Sequence, residues 1–186
     1  MRNPVPKEQE LLKLASQLNT TALAEIYDCY SPGLYRYAMR LLGHASLAED
    51  CVAEAFMRFL KSLQNHRGPR EHLQAYLYRI AHNWIVNLYR DHEETIALSE
   101  ALLCENAPEE EAAKRIRQQQ VRKAIRSLTP DQQKVITLKY LEDWSNEEIA
   151  RVLHKPVGAV KSLQHRALLS MQKLLMEGIN EKSHQP

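Results

Sequence analysis

Residues 145–175, SNEEIARVLHKPVGAVKSLQHRALLSMQKLL, constrain the fold more than any other stretch, because they read as a short helix, a tight turn and a longer basic helix. Ser145 and Glu148 have capping-box spacing, so hydroxyl and carboxylate can satisfy orphan amides at a helix start. Ile149, Ala150 and Leu153 give that helix one apolar side. Lys155-Pro156 interrupts it, since a residue preceding proline is pushed out of the helical region. The second helix repeats apolar residues at Val160, Leu163, Ala167, Met171 and Leu174, a period near 3.6. Lys161, Ser162, His165 and Arg166 occupy its other side. A short helix supporting a longer one with a basic outer face is the geometry that enters a major groove. Duplex DNA is the expected ligand.

Charge supports that expectation. The net charge of +2 hides a partition along the chain. Residues 92–113 hold seven glutamates and no Lys or Arg, whereas residues 114–174 hold thirteen Lys or Arg against five Asp or Glu. A basic block of this kind suits a phosphate-binding surface. The acidic stretch before it reads as a solvated linker. Cys29, Cys51 and Cys104 are odd in number and form no CxxC pair, which argues against a disulfide framework and a zinc finger. The N-terminal segment lacks the apolar core of a signal peptide, and no apolar run approaches the roughly 18 residues of a membrane span. The expectation is a cytoplasmic protein without membrane insertion. The short tail after residue 177 leaves no room for an appended regulatory domain.

Almost everything else reads as helix. Ser31-Pro32-Gly33 offers a helix break inside residues 23–42, with proline suited to a first helical position. Ser46 and Glu49 have capping-box spacing, and the helix after them places Leu47, Cys51, Val52, Ala55, Phe56, Phe59, Leu60 and Leu63 on one face. NHRGPR, residues 65–70, is a loop. A helix over 71–90 follows, with Leu73, Tyr76, Leu77, Ile80, Ala81, Trp84 and Leu88 as its stripe, so Tyr76 and Trp84 are assigned to the core. Residues 109–128 form a helix whose acidic start and basic end suit the helix dipole. Thr129-Pro130-Asp131-Gln132 caps the next, which runs to about Leu141 and buries Val135, Ile136, Leu138 and Leu141. The predicted fold is all-α: two small helical domains joined by an acidic linker, the C-terminal one a helix-turn-helix. The predicted boundaries are 1–91, with an N-terminal helix, then linker 92–108, then 109–186.

Five segments then combine in order: YSPGLYRYAMRLLG, LAEDCVAEAFMRFLKSL, AYLYRIAHNWIVNLYRD, SLTPDQQKVITLKYLEDWSNEEIARVL and PVGAVKSLQHRAL. Together they resemble the sigma-70 family, specifically the two-domain extracytoplasmic-function (ECF) RNA polymerase sigma factors, over roughly residues 23–175. The resemblance implies promoter-specific transcription initiation, with core RNA polymerase and promoter DNA as partners. Glu49, Asp50 and Glu54 would meet arginines of the clamp helices of the polymerase largest subunit, where carboxylate–guanidinium pairs orient as well as attract. The C-terminal domain would meet the flap of the second-largest subunit. Arg67 in the loop, with Arg79, His82, Asn83, Asn87 and Arg90 on the helix, would read the minus-ten element. There an extruded base sits in a pocket beneath the loop, and flipping costs a few kcal/mol. Lys161, Ser162, Gln164, His165 and Arg166 would read the minus-thirty-five element, with Lys155 on a phosphate. An anti-sigma factor is a further implied partner. The linker is either a tether or a segment threading the polymerase.

The chain departs from the family pattern at several points. Leu163-Gln164 stands where Arg-Leu is usual, and glutamine can pair with adenine. His154 replaces a common turn glycine, and histidine tolerates a left-handed backbone. Ala53 replaces a frequent glutamine, and Asn87 a frequent aspartate. No cofactor and no catalytic residue are expected. The spacing of His66, His72 and His82 matches no metal-ligand pattern. Two rival readings are a conventional helix-turn-helix regulator and an all-helical enzyme; no nucleophile–base pair or glycine-rich phosphate loop supports the second.

Overall fold

The computed structural model describes residues 6–102 and 109–182, with side chains for 8–90 and 114–176. Among them there are eight helices and no strand: α1 Pro6–Ser16, α2 Thr20–Leu42, α3 Ala45–Gln64, α4 Leu73–Leu102, α5 Glu109–Arg126, α6 Pro130–Leu141, α7 Asn146–Leu153 and α8 Val157–Lys182. The chain divides into two compact units, residues 1–85 and 86–186. The division falls within α4.

In the first unit, α2 and α3 pack along their apolar faces and α1 lies against both. Asn19 caps α2 by accepting from the Ala22 amide at 3.0 Å. The helix then runs through Pro32 without ending, although Ser31-Pro32-Gly33 predicts a break. A proline inside a helix loses one backbone bond and costs about 3 kcal/mol. Ile26 on one side of it, and Leu34, Tyr37, Ala38, Leu41 and Leu42 on the other, are all buried. Each fully buried large apolar side chain returns roughly 1.5–3 kcal/mol, so tertiary packing overrides the local break. Gly33 serves the same packing, since a Cβ there would lie 2.8 Å from the Tyr78 hydroxyl. Gly43, at φ 78°, ends α2 in the left-handed region and donates to the Met39 carbonyl.

The reversal after α2 is so short that α3 begins at Ala45 with His44 as its cap residue. Ser46 therefore lies inside the first turn, and the predicted Ser46–Glu49 capping box does not form. The buried face of α3 is Ala48, Cys51, Val52, Ala55, Phe56, Phe59 and Leu63, while Leu60 is 38 % exposed. Burial, with the Glu54 charge nearby, pushes the Cys51 thiol up to about 12, so it packs as a hydrophobe. After α3, His66 takes a left-handed backbone, with His66 N–H on Leu63 O and Arg67 N–H on Ser62 O. That is a Schellman closure with histidine in the usual glycine place.

The phase of α4 differs from the predicted stripe. Leu73, Leu77, Tyr78, Ala81, His82 and Ile85 are buried, whereas Tyr76, Ile80, Trp84 and Leu88 are only half-buried. Tyr37 explains the shift. Its ring meets Tyr78 edge-on at 5.2 Å, and its hydroxyl lies 2.7 Å from His82 Nδ1. A buried tyrosine needs a polar partner, and His82 supplies it. The helix also continues beyond Arg90 to Leu102, because no proline or glycine stands between them to stop it. The acidic stretch is thus helical through Leu102, and residues 103–108 of the predicted linker lie outside the described residues.

In the second unit, α8 packs against α5, α6 and α7. Leu128, Ile136 and Ala167 form a buried cluster with Met171 against it. Val135, Leu138, Trp144, Ile149, Val152 and Val160 complete the core. Leu174, predicted for the stripe, is 40 % exposed.

Candidate nucleic-acid interface

The α7–turn–α8 pair is built from local chemistry. Glu148 Oε2 accepts from the Ser145 amide at 2.7 Å and from its hydroxyl at 2.8 Å, while Ser145 Oγ accepts from the Glu148 amide at 3.2 Å. Partial burial of Glu148 works against its charge, but the Ser145 hydrogen bonds and the Arg151 charge outweigh it and hold the carboxyl below the usual carboxylate range. Gln132 Oε1 plays the corresponding part for α6, accepting from the Thr129 amide and hydroxyl. His154 sits at φ 51°, ψ 44°. Its amide donates to Arg151 O and the Lys155 amide to Ala150 O, a second Schellman closure with histidine in the glycine position. The Pro156 carbonyl then accepts from Ala159 and Val160 as α8 begins.

The turn aims α8 outward. Val160 and Ala167 are fully buried, Leu163, Gln164 and Met171 half-buried, and Lys161, Ser162, His165 and Arg166 exposed on one side. The Ser162 hydroxyl donates back to Gly158 O at 3.0 Å, and Arg166 Nε to Ser162 O at 3.3 Å. Lys155 Nζ lies 3.3 Å from Asp131 Oδ2, so a phosphate there competes with a partly exposed carboxylate. Gln164 Nε2 donates to the Tyr140 hydroxyl at 2.8 Å. Sequence reasoning missed Tyr140 because a tyrosine ending an amphipathic helix carries no positional signal.

Along α4, Arg79 and Asn83 of the first unit, and Asn87 and Arg90 beyond the division, follow one another at helical spacing. Asn83, Asn87 and Arg90 are exposed, and Arg79 lies half-buried with its guanidinium 5.5 Å from the Tyr76 ring centroid. Arg67 is exposed in the loop. His82 is the exception: at 3 % exposure it faces Tyr37 rather than solvent, so its ring is removed from the exposed face of α4. On α3, Glu49 and Asp50 are exposed, and Glu54 is bound to Arg58 Nε at 2.6 Å.

Two further features stand out, the second invisible in the sequence. A cavity of about 340 Å³ lies between α1 and the loop, lined in part by Leu12, Lys13, Leu63, His66 and Arg70. Beside it Glu8 reaches from α1 to the start of α4: its Oε1 accepts from the Leu73 amide at 3.0 Å and its Oε2 from the Tyr30 hydroxyl at 3.3 Å. Among the described residues, no group of three or more His, Cys, Asp or Glu side chains is placed to hold a metal ion. None of the described helices is long and apolar enough to cross a membrane.

Comparison with known proteins follows the same division. Residues 26–95 match the family "Sigma-70 region 2" and residues 118–171 match "Sigma-70, region 4". The ECF RNA polymerase sigma factor BldN of Streptomyces coelicolor is 30 % identical over 171 residues, covering 89 % of this chain; the chain spans 65 % of that relative's length. The ECF RNA polymerase sigma factor SigW of Bacillus subtilis is 28 % identical over 179 residues, covering 89 % of this chain and 95 % of its own. Among solved structures, CnrH in complex with the cytosolic domain of CnrY superposes with a TM-score of 0.66 at 22 % identity, covering 92 % of this chain and 98 % of that one. The sigma factor RpoE, in complex with the anti-sigma factor NepR from Bartonella quintana, gives 0.53 at 22 % identity, covering 82 % and 96 %. Both likenesses are of fold.

Proposed function

The chain belongs to the sigma-70 family, within its extracytoplasmic-function group, and from that premise we propose that it confers promoter specificity on RNA polymerase. It binds core enzyme, reads two spaced promoter elements and assists their opening. The observation that carries this reading is the pair of outward polar helix faces, one on α4 and one on α8, on a chain that divides into two compact units.

In this reading residues 1–91 dock on the clamp helices and hold the minus-ten element, residues 92–108 tether, and residues 109–186 hold the minus-thirty-five element and meet the flap. Glu49 and Asp50 supply exposed carboxylates to the clamp, and Glu54 exchanges Arg58 for an arginine of the polymerase. Arg67, Arg79, Asn83, Asn87 and Arg90 face the minus-ten element, while His82 supports that face from beneath through Tyr37. The cavity under the loop receives an extruded base, whose unstacking is offset by contacts to the walls. Lys161, Ser162, Gln164, His165 and Arg166 enter the major groove, and Lys155 leaves Asp131 for a phosphate. The free energy of binding does the work, so no catalytic group is needed. A protein partner of the anti-sigma class, such as NepR is for RpoE, covers these faces when the factor is silent.

Reconstitution with core RNA polymerase on a random promoter library tests the reading. Discrete transcripts dependent on the protein are expected. Duplex binding without any transcript would favour a conventional helix-turn-helix regulator instead. A double substitution, Glu49→Lys with Asp50→Lys, should abolish co-purification with core enzyme while leaving the thermal transition in place.

A further inference from the structure

Gln164 sits where the buried seam of α8 meets its exposed face, one helical turn after Val160 and beside Lys161. Its side chain is already committed before DNA arrives: Nε2 donates to the hydroxyl of Tyr140, which stands on the last turn of α6 and is 50 % exposed. A primary amide carries two N–H donors and one carbonyl acceptor. With one N–H on Tyr140, the carbonyl oxygen and the second N–H remain, side by side. That acceptor–donor edge complements the N6–H and N7 of adenine in the major groove.

Tyr140 matters because a free glutamine is poorly prepared to read a base. Ordering such a flexible side chain costs rotamer entropy, and a ligand-independent bond that restricts it before binding lowers that penalty. The phenol ring rotates about only two torsions and is carried on a separate helix packed against α8.

We propose that Gln164 reads the adenine of one A·T pair in the upstream promoter element and that Tyr140 is the positioning residue that presents it. This rests on the sigma-factor reading given above. A single amide edge spans one base, so the preference it supplies is confined to a single base pair.

The test is selection of transcripts by holoenzyme from a library randomised across the upstream element, with wild type, Gln164→Leu and Tyr140→Phe compared. Wild type should favour adenine over the other bases at one position by roughly tenfold, the discrimination a bidentate contact supplies. Gln164→Leu should abolish that preference. Tyr140→Phe should reduce it several-fold while leaving the neighbouring positions and the thermal transition unchanged; a merely structural role for Tyr140 would weaken all positions together. The pairing is overturned by active holoenzyme whose wild-type and Tyr140→Phe preferences coincide, by persistence of the adenine preference in Gln164→Leu, or by no adenine preference in wild type. Absence of any transcript with wild type is a different result, and it removes the sigma-factor reading together with this one.

Discussion

The two units reach stability by different means. The first buries Tyr37, Phe56, Phe59 and Tyr78 among leucines and alanines; Tyr37 meets Tyr78 edge-on at 5.2 Å, while Phe56 and Phe59 meet the less buried rings of Tyr27 and Tyr76 at 4.8 and 6.1 Å. The second buries one large aromatic, Trp144, among smaller aliphatic side chains, and two of its helices begin in side-chain capping boxes. A core of large rings resists local opening, whereas short helices closed by side-chain caps depend on a few polar bonds. The α7–α8 pair is therefore mounted on the more locally determined scaffold.

Five measurements would break or sharpen this contrast. Phe59→Ala should destabilise the first unit by about 3–5 kcal/mol in denaturant titration; a loss under about 1.5 kcal/mol would mean the ring core is not what holds that unit. Ser145→Ala should cost the second unit about 1 kcal/mol, and the capping box gives it a pH signature. The folded Glu148 carboxyl titrates below its unfolded value. Its contribution is therefore complete above the ordinary carboxylate pKa of about 4.3, and is lost as pH falls from there through the lower folded value. The stability gap between wild type and Glu148→Gln should stay constant near neutrality and narrow only in acid. A gap that widened in acid would contradict the cap.

His154→Gly should be smaller and opposite in sign. A left-handed backbone costs an L-residue roughly 1–2 kcal/mol, and the added chain entropy of glycine offsets about 0.5–1 kcal/mol. A modest rise in the thermal midpoint is expected, and a fall would show that the imidazole makes a contribution beyond its backbone. Asp131→Asn should have the least effect, at most about 1 kcal/mol, because its ion pair with Lys155 is exposed. Under the proposed phosphate role it should also tighten DNA binding slightly, by freeing Lys155.

How far these features could be read from sequence depends on the range of the physics. The Ser145–Glu148 and Thr129–Gln132 boxes act over three residues, so their spacing alone reveals them. The same spacing misled at Ser46–Glu49, because Gly43 reverses the chain so tightly that α3 starts before the serine. Periodicity found α4 but misplaced its buried face. It weighs Ile80 and Trp84 above His82, whereas the structure buries His82 because Tyr37 on another helix needs its nitrogen. Pro32 reads as a stop until the flanking side chains have a core to enter. Glu8 and Tyr140 act over 65 and 24 residues of separation, and nothing local marks either. On α8, the exposure of Lys161, Ser162, His165 and Arg166 was legible because an exposed face is what remains once Val160 and Ala167 are buried.

The Glu8 carboxylate has a practical consequence for protein engineering. It joins the Leu73 amide to the Tyr30 hydroxyl, so the start of α4 is completed by residues from two other helices. A designer grafting the loop and α4 onto another scaffold could not transplant residues 65–90 as a continuous cassette. Positions 8 and 30 would have to travel with them, or the recipient would need an acid of its own at the same place.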